Sequence, residues 1–147
     1  MRRRWAGLFA GLEEGESPDD LARRADATGR SALDHADHAA DALARFGRAL
    51  EQTLVSDHPT LDAGMSGASP RRADAPGPTV EGALDHLALE ADALAARSER
   101  RSAAEWSRTA TVAGDTVSAL DLLWDAVDTV VADLKAAEQT LREVRGR

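Results

Sequence analysis

Two histidines lie three residues apart in the stretch Asp34-His35-Ala36-Asp37-His38. Three residues are nearly one turn of an α-helix, so both imidazoles would project from neighbouring positions on one helix. Imidazole nitrogens with flanking carboxylates are ligands for divalent metals. The alternative is a solvated polar shoulder, because His38 lies roughly 160° from the centre of the main apolar stripe of this segment. The spacing permits a metal site, and both interpretations stay open.

A row of carboxylates occupies a second segment with helical periodicity. Asp121, Asp125 and Asp128 follow one another at i, i+4 and i+7, which places them on one ridge of a helix. They could join His38 as ligands of a hard metal ion if the two helices are neighbours. The alternative is a solvated face, in which the first two acids stabilise the positive N-terminal end of the helix.

Other catalytic chemistry has little support. The chain has no cysteine, which excludes disulfides, thiolate metal sites and a cysteine nucleophile. There is no Glu-x-x-His pair of the di-iron type, no Ser, His and Asp grouping, and no glycine pattern typical of a phosphate-binding loop. We therefore predict no catalytic and no cofactor-binding residue. Of the remaining candidates, Trp106 and Trp124 are predicted to anchor core and loop, and His58 and His86 to lie at the surface.

Composition bounds the class of protein. The chain has 147 residues, enough for one domain with a real core, and a net charge of -8, which disfavours nucleic-acid binding. No stretch approaches the roughly 18 apolar residues that a membrane helix needs. The basic run 2–4 precedes an apolar stretch that Gly7 and Gly11 interrupt, which is too short for a signal peptide. These features predict a cytoplasmic protein that binds neither membrane nor nucleic acid.

Apolar residues recur with helical spacing nearly everywhere, and no window shows the alternation of a strand. The pattern predicts four helices, at about 2–14, 31–56, 79–100 and 116–145. The stretch 56–78 contains four of the five prolines and is predicted to be a long loop. In the last helix the predicted core stripe consists of Leu120, Leu123, Val127, Val131, Leu134, Leu141 and Val144, with Trp124 beside it. Because no single stripe can be buried alone, we expect an all-α, single-domain four-helix bundle over 1–147.

Several stretches resemble one known family. The segment 31–46, the sequence Asp57-His58-Pro59-Thr60, and the segment 84–108 with its capped tryptophan turn resemble the second helix, the following loop and the third helix of the DinB/YfiT-like superfamily. Thr116-Val117 is similar to the opening of the last helix in that family. The superfamily consists of four-helix bundles related to thiol-dependent transferases and mycothiol-dependent maleylpyruvate isomerases. The resemblance implies the same bundle here.

The resemblance also implies a metal site made of one histidine from the second helix and a His-x-x-x-His pair from the last. His38 matches the first position, whereas the other two fall at Asp128 and Ala132. Relatives often carry histidine at the next position, Asp133 in this chain. Alanine cannot bind a metal, so the resemblance implies a degenerate member whose three-histidine site is vestigial. His38 and Asp128 remain the metal candidates; no cofactor is expected, with zinc or nickel as the alternative.

Two functions follow from this reading. The first is a DinB-like binding or structural module, expected to be a homodimer, whose protein or small-molecule partner is left open. The alternative is a metal-dependent transferase or hydrolase, similar to the thiol transferases, that uses His38, Asp128 and Asp125 as an altered site. A third reading, a partner-dependent helical regulator, rests on the acidic surface and the loop 56–78.

Overall fold

The computed structural model describes residues 2–10, 17–61 and 79–146. Within these ranges the chain is mainly helical, with one small three-stranded sheet. The helices are α1 (Arg2–Ala10), α2 (Pro18–Arg23), α3 (Ala32–Val55), α4 (Val80–Ser98), α5 (Ala103–Trp106) and α6 (Ala119–Arg145). The strands are β1 (Thr60–Leu61), β2 (Thr109–Val112) and β3 (Asp115–Ser118). Residues 11–14 of the predicted first helix and most of the predicted loop, 62–78, lie outside the described residues.

Serine caps fix where three of the helices begin. Ser31, Ser102 and Ser118 each accept a hydrogen bond from the backbone N–H three residues later, and the carboxylate at that later position accepts from the serine N–H. This reciprocal pair satisfies two helix donors that would otherwise lack partners. At Glu105 the bonds from Ser102, with Arg101 nearby, lower the pKa of the carboxyl to about 2. A serine followed three residues later by an acidic residue is a local sequence signal for the start of a helix, as at Ser31 and Ser102.

The prediction of a chain without strands is wrong. Strands β2 and β3 form an antiparallel hairpin, and β1 pairs with β2 in parallel. The two turn residues Ala113 and Gly114 both have positive φ, 52° and 95°, as hairpin turns of two residues require. The β-branched run around Thr116 and Val117 therefore belongs to β3 instead of opening the last helix, which begins only at Ala119. Strands this short show too little alternation for the sequence pattern to reveal them.

Helix α3 lies at the centre, with its most extensive contacts to α6 and α4. The predicted core stripe of α6 is partly wrong, because Leu120 and Val131 are 42% and 36% exposed. Most of the buried face of α6 is instead formed by a different row of residues from the predicted stripe. Its buried residues are Ala119, Leu122, Ala126, Val130, Asp133, Ala137, Thr140, Leu141 and Val144. Small and large side chains therefore share the buried face of α6, and the apolar side chains left exposed on this helix include Leu120, Trp124 and Val131.

Helix α1 contributes two aromatic side chains to the same core. Trp5 and Phe9 are buried and stack with ring centroids 6.5 Å apart, a favourable aromatic geometry. Through these contacts α1 packs mainly against α4. No helix among the described residues is long and apolar enough to cross a membrane.

The turn between α2 and α3 is tied to α6 by Asp26. Its carboxylate accepts bonds from the N–H and hydroxyl of Thr28, from the Arg30 N–H, and from the buried Thr140 hydroxyl at 2.8 Å. The bonds from the Thr28 and Thr140 side chains hold the pKa of the Asp26 carboxyl well below its ordinary value of 3.8. A lowered carboxyl pKa stabilises the folded state above the ordinary value, and that stabilisation is lost as pH falls.

We predict that Asp26→Asn makes unfolding less dependent on acid. The melting temperature of the unchanged protein should fall between about pH 5 and about pH 2, as protonation of Asp26 removes its bonds. The variant should melt lower at pH 5 and decline less steeply, measured by circular dichroism. Asp92→Asn, at an exposed position on α4, is the matched control. Parallel pH profiles for Asp26→Asn and the unchanged protein would contradict the prediction.

Candidate functional site

The structure brings both predicted histidines of α3 to one carboxylate of α6. Nδ1 of His38 lies 2.7 Å from Oδ2 of Asp133, and Nδ1 of His35 lies 3.5 Å from Oδ1 of the same residue. The side chains of His35 and Asp133 are 8% and 9% exposed, whereas that of His38 is 32% exposed. The three residues therefore form a cluster at the α3–α6 contact that opens to solvent at His38.

The 2.7 Å contact limits the roles that the ring nitrogens of His38 can take. A deprotonated carboxylate can only accept, so with Asp133 in that form Nδ1 of His38 is the donor and Nε2 of a neutral ring holds the lone pair. Nδ1 of His35 is buried and makes no hydrogen bond within the described part of the chain. Asp133 therefore hydrogen-bonds the ring of His38, whereas its contact with the ring of His35 is longer.

The donor set does not fit the family's metal centre. Asp128 and Ala132 are both exposed, and Asp128 lies about 140° around α6 from Asp133 at 100° per residue. Since Asp133 faces His38, Asp128 points away from it, and the structure does not bring these two metal candidates together. Across residues 2–10, 17–61 and 79–146 there is no group of three histidine or acidic side chains that could hold a metal ion. Because Nδ1 of His38 contacts Asp133, only Nε2 of that ring could serve such a role.

The interpretation of His35 as part of a solvated shoulder is wrong, since the residue is buried. Asp133 is the functional-site residue that the sequence reading placed only by resemblance. It lies in the same buried row of α6 as Ala126, Val130 and Ala137. The neighbouring row carries more hydrophobic side chains, and the sequence pattern therefore indicated that row as the core stripe. A polar residue within a row of alanines, opposite histidines on another helix, is the signal that could have found it.

We predict that Asp133→Ala lowers the free energy of unfolding by about 1–3 kcal/mol, because His38 loses its hydrogen-bond partner and the buried His35 loses its 3.5 Å contact with the carboxylate. Chemical denaturation with urea measures the change. Asp125→Ala is the control, since it makes the same substitution at an exposed position of the same helix. Equal stability of the two variants would show that the cluster contributes nothing to the α3–α6 contact.

A second surface lies on the opposite side of α6. Trp124 is 60% exposed, so its prediction as a core anchor is wrong. Together with its neighbours it forms the outer row, which we define as Leu120, Trp124, Val127, Val131 and Leu134. These residues are separated by four, three, four and three positions, the spacing of a helix–helix seam. The predicted solvated ridge beside it is confirmed, because Asp121, Asp125 and Asp128 are all exposed.

A groove of about 660 Å³ separates α1 from the C-terminal half of α6. Its floor is apolar and includes Leu8, Leu134 and Leu141, and Glu138 is the acidic residue in its lining. Four cationic side chains surround the floor: Arg4, Lys135, Arg142 and Arg145. The lining therefore has an excess of cations within a chain of net charge -8, although one of them, Arg142, lies 3.4 Å from Glu138.

The remaining residues considered in the sequence analysis make local structural contacts. Trp106 packs, half-buried, against the main core as expected. His58 is exposed, as predicted, and its ring nitrogens lie 2.8 Å and 3.1 Å from the hydroxyls of Thr109 and Thr111. His86 is partly exposed, with Nε2 4.0 Å from Glu90. These contacts describe local structure and add no candidate chemistry.

Comparisons with protein-family models, with curated proteins and with solved structures returned no match to this chain.

Proposed function

We propose that this chain is a metal-independent binding module that recognises an amphipathic protein helix. The observation that carries the proposal is the apolar outer row of α6, where Leu120, Trp124 and Val131 are 42%, 60% and 36% exposed and the other two members are partly buried. Contiguous exposed apolar surface of this kind marks an interaction site. A row with 3-4 spacing on one helix is the surface on which another helix packs.

The groove beside the outer row specifies the charge of that partner. Its apolar floor accepts leucine-sized side chains, and its basic surround, which includes Arg4, Lys135 and Arg142, favours carboxylates. An acidic amphipathic helix would bury its apolar face on α6 and place its acids near these cations. Opposite charges around an apolar contact favour encounter and fix orientation.

We further propose that the chain is a DinB-like four-helix bundle that has lost the metal centre of that family. The four longer helices α1, α3, α4 and α6 support this arrangement, since α3 contacts α6 and α4, and α1 contacts α4. The cluster at His38 and Asp133 then holds two helices together where relatives hold an ion. Because the remaining ligand positions face solvent, thiol-transfer chemistry forms no part of the proposal.

One observation favours the alternative, a metal-dependent transferase or hydrolase with an altered site. A carboxylate that accepts from Nδ1 of a histidine, as Asp133 does from His38, also orients metal-binding histidines through Nε2. The alternative requires further ligands for zinc or nickel.

Elemental analysis separates the two functions. Protein purified without chelator and without affinity-tag histidines should contain no stoichiometric metal. Zinc, nickel and manganese should leave its melting temperature unchanged, whereas an ion bound to the native state would raise it. One ion per chain that is lost in His38→Ala would contradict the proposal and support the altered metal site.

Helix recognition is tested with a designed peptide that carries leucine on one face and glutamate beside it. It should bind the full chain, and Trp124→Ala should weaken binding by about tenfold or more, because a central tryptophan carries much of such a contact. Fluorescence anisotropy of the labelled peptide measures the affinity.

Two controls make this test specific. Leu89→Ala removes another exposed apolar side chain, on α4, and should leave the affinity unchanged. A peptide with lysine in place of glutamate should bind more weakly. Equal affinity for the acidic and basic peptides, or the same loss for both variants, would overturn the assignment of this surface.

A further inference from the structure

The outer row of α6 is one seam of a heptad pattern. The apolar 3-4 spacing covers 120–134, about two heptads, and the positions that continue it are Glu138, the buried Leu141 and Arg145. Apolar residues at this spacing are typical of the contact face between two paired helices. The seam is exposed in its N-terminal half and passes into the basic groove in its C-terminal half.

Four charged residues repeat every seven positions along the solvent side of this seam. They are Asp121, Asp128, Lys135 and Arg142, and all four are exposed. The two in the N-terminal half of α6 are acidic, and the two in the C-terminal half are basic. Charges that flank an apolar seam set the choice of partner and the orientation in paired helices.

We propose that the partner helix is α6 of a second copy of this chain, packed antiparallel across a two-fold axis near the middle of the helix. This inference rests on the proposed function, because it names the helix that the outer face of α6 binds. A two-fold axis makes the interface self-complementary, so the same surface serves on both copies.

Antiparallel packing pairs every one of the four flanking charges with an opposite charge. The two-fold axis keeps the solvent side of one seam against the solvent side of the other, and it reverses the helix direction. With the axis between Val131 and Ala132, Asp128 lies opposite Lys135 of the second copy, and Asp121 lies opposite its Arg142. A parallel pair would gather the acidic halves at one end and the basic halves at the other, which is unfavourable.

The same packing gives Trp124 a place to bind. Its position along α6 lies opposite the C-terminal half of the second helix, where the groove has Leu8, Leu134 and Leu141 in its lining. The indole that is 60% exposed in a single chain would be buried on that apolar floor. Asp121 and Asp128 of each helix meanwhile approach the cationic residues that line the groove of the other copy.

The oligomeric state of the full chain tests the inference first. Sedimentation equilibrium should report a dimer, and Trp124→Ala should raise its dissociation constant by at least about a hundredfold, because the dimer loses two buried indoles. Leu89→Ala is the matched control and should leave the dimer unchanged. Circular dichroism should show both variants folded, since each side chain is largely exposed in the single chain. A monomer across the micromolar to millimolar range would overturn the inference.

A charge exchange tests the antiparallel register. Asp128→Lys alone and Lys135→Asp alone should each weaken the dimer roughly tenfold, since each creates two like-charge pairs. The double variant should recover most of the affinity because the pairs are restored with their signs exchanged. Asp125→Lys changes an exposed acid away from the seam and is the control. Failure of the double variant to recover would overturn this register.

The designed acidic peptide distinguishes this inference from the proposed function. A chain that stays monomeric but binds the peptide through Trp124 would refute the second copy as partner and leave helix recognition standing. A chain that neither dimerises nor binds the peptide would refute both. A dimer that Trp124→Ala leaves unchanged would place the interface elsewhere and refute the inference.

Discussion

The contact between α3 and α6, the most extensive between two elements of the described residues, is the one on which the rest of the structure depends. Ala36, Ala39 and Ala40 of α3 and Ala126 and Ala137 of α6 are fully buried in one core cluster. Side chains this small allow close approach, and interaxial distance depends on the side chains at the contact. The inward face of α6 also carries larger residues such as Leu141 and Val144, while Leu120, Trp124 and Val131 lie on the other side of the helix. Burial of one face of α6 therefore leaves the outer row at the surface.

Close packing of these helices also accounts for the polar cluster within it. Asp133 occupies a position in the alanine row, where only a histidine partner from α3 is close enough to satisfy its carboxylate. Buried polar groups add little net stability, but leaving one of them without its partner is expensive. The cluster therefore favours one register of α6 against α3 over alternatives shifted by one turn. This is a structural role for the cluster, and it requires no bound ion.

Much of the helical architecture could be predicted from the sequence, because serine caps and apolar periodicity are local signals. Ser31 and Ser102 define their helices within a few residues, and α3 ends before Pro59 as expected. The prediction of the buried face of α6 was partly wrong because two of its faces carry apolar residues. Leu120 and Val131 are more hydrophobic than Ala126 and Ala137, so hydrophobicity alone selects the wrong stripe. The face that is buried depends on packing against α3, which the sequence of α6 does not contain. Strand β1 was missed because it pairs with β2 across roughly fifty residues, and the hairpin of β2 and β3 was missed because each strand has only four residues.

The three tryptophans lie at three depths, which gives this protein an unusual optical property. Trp5 is fully buried, Trp106 is half-buried and Trp124 is largely exposed, and the chain has no tyrosine. Its near-ultraviolet emission is therefore the sum of an apolar, an intermediate and an aqueous indole. A quencher dissolved in water reaches Trp124 well before it reaches Trp5. The emission spectrum thus separates events at the outer surface of α6 from loss of the core without any added label.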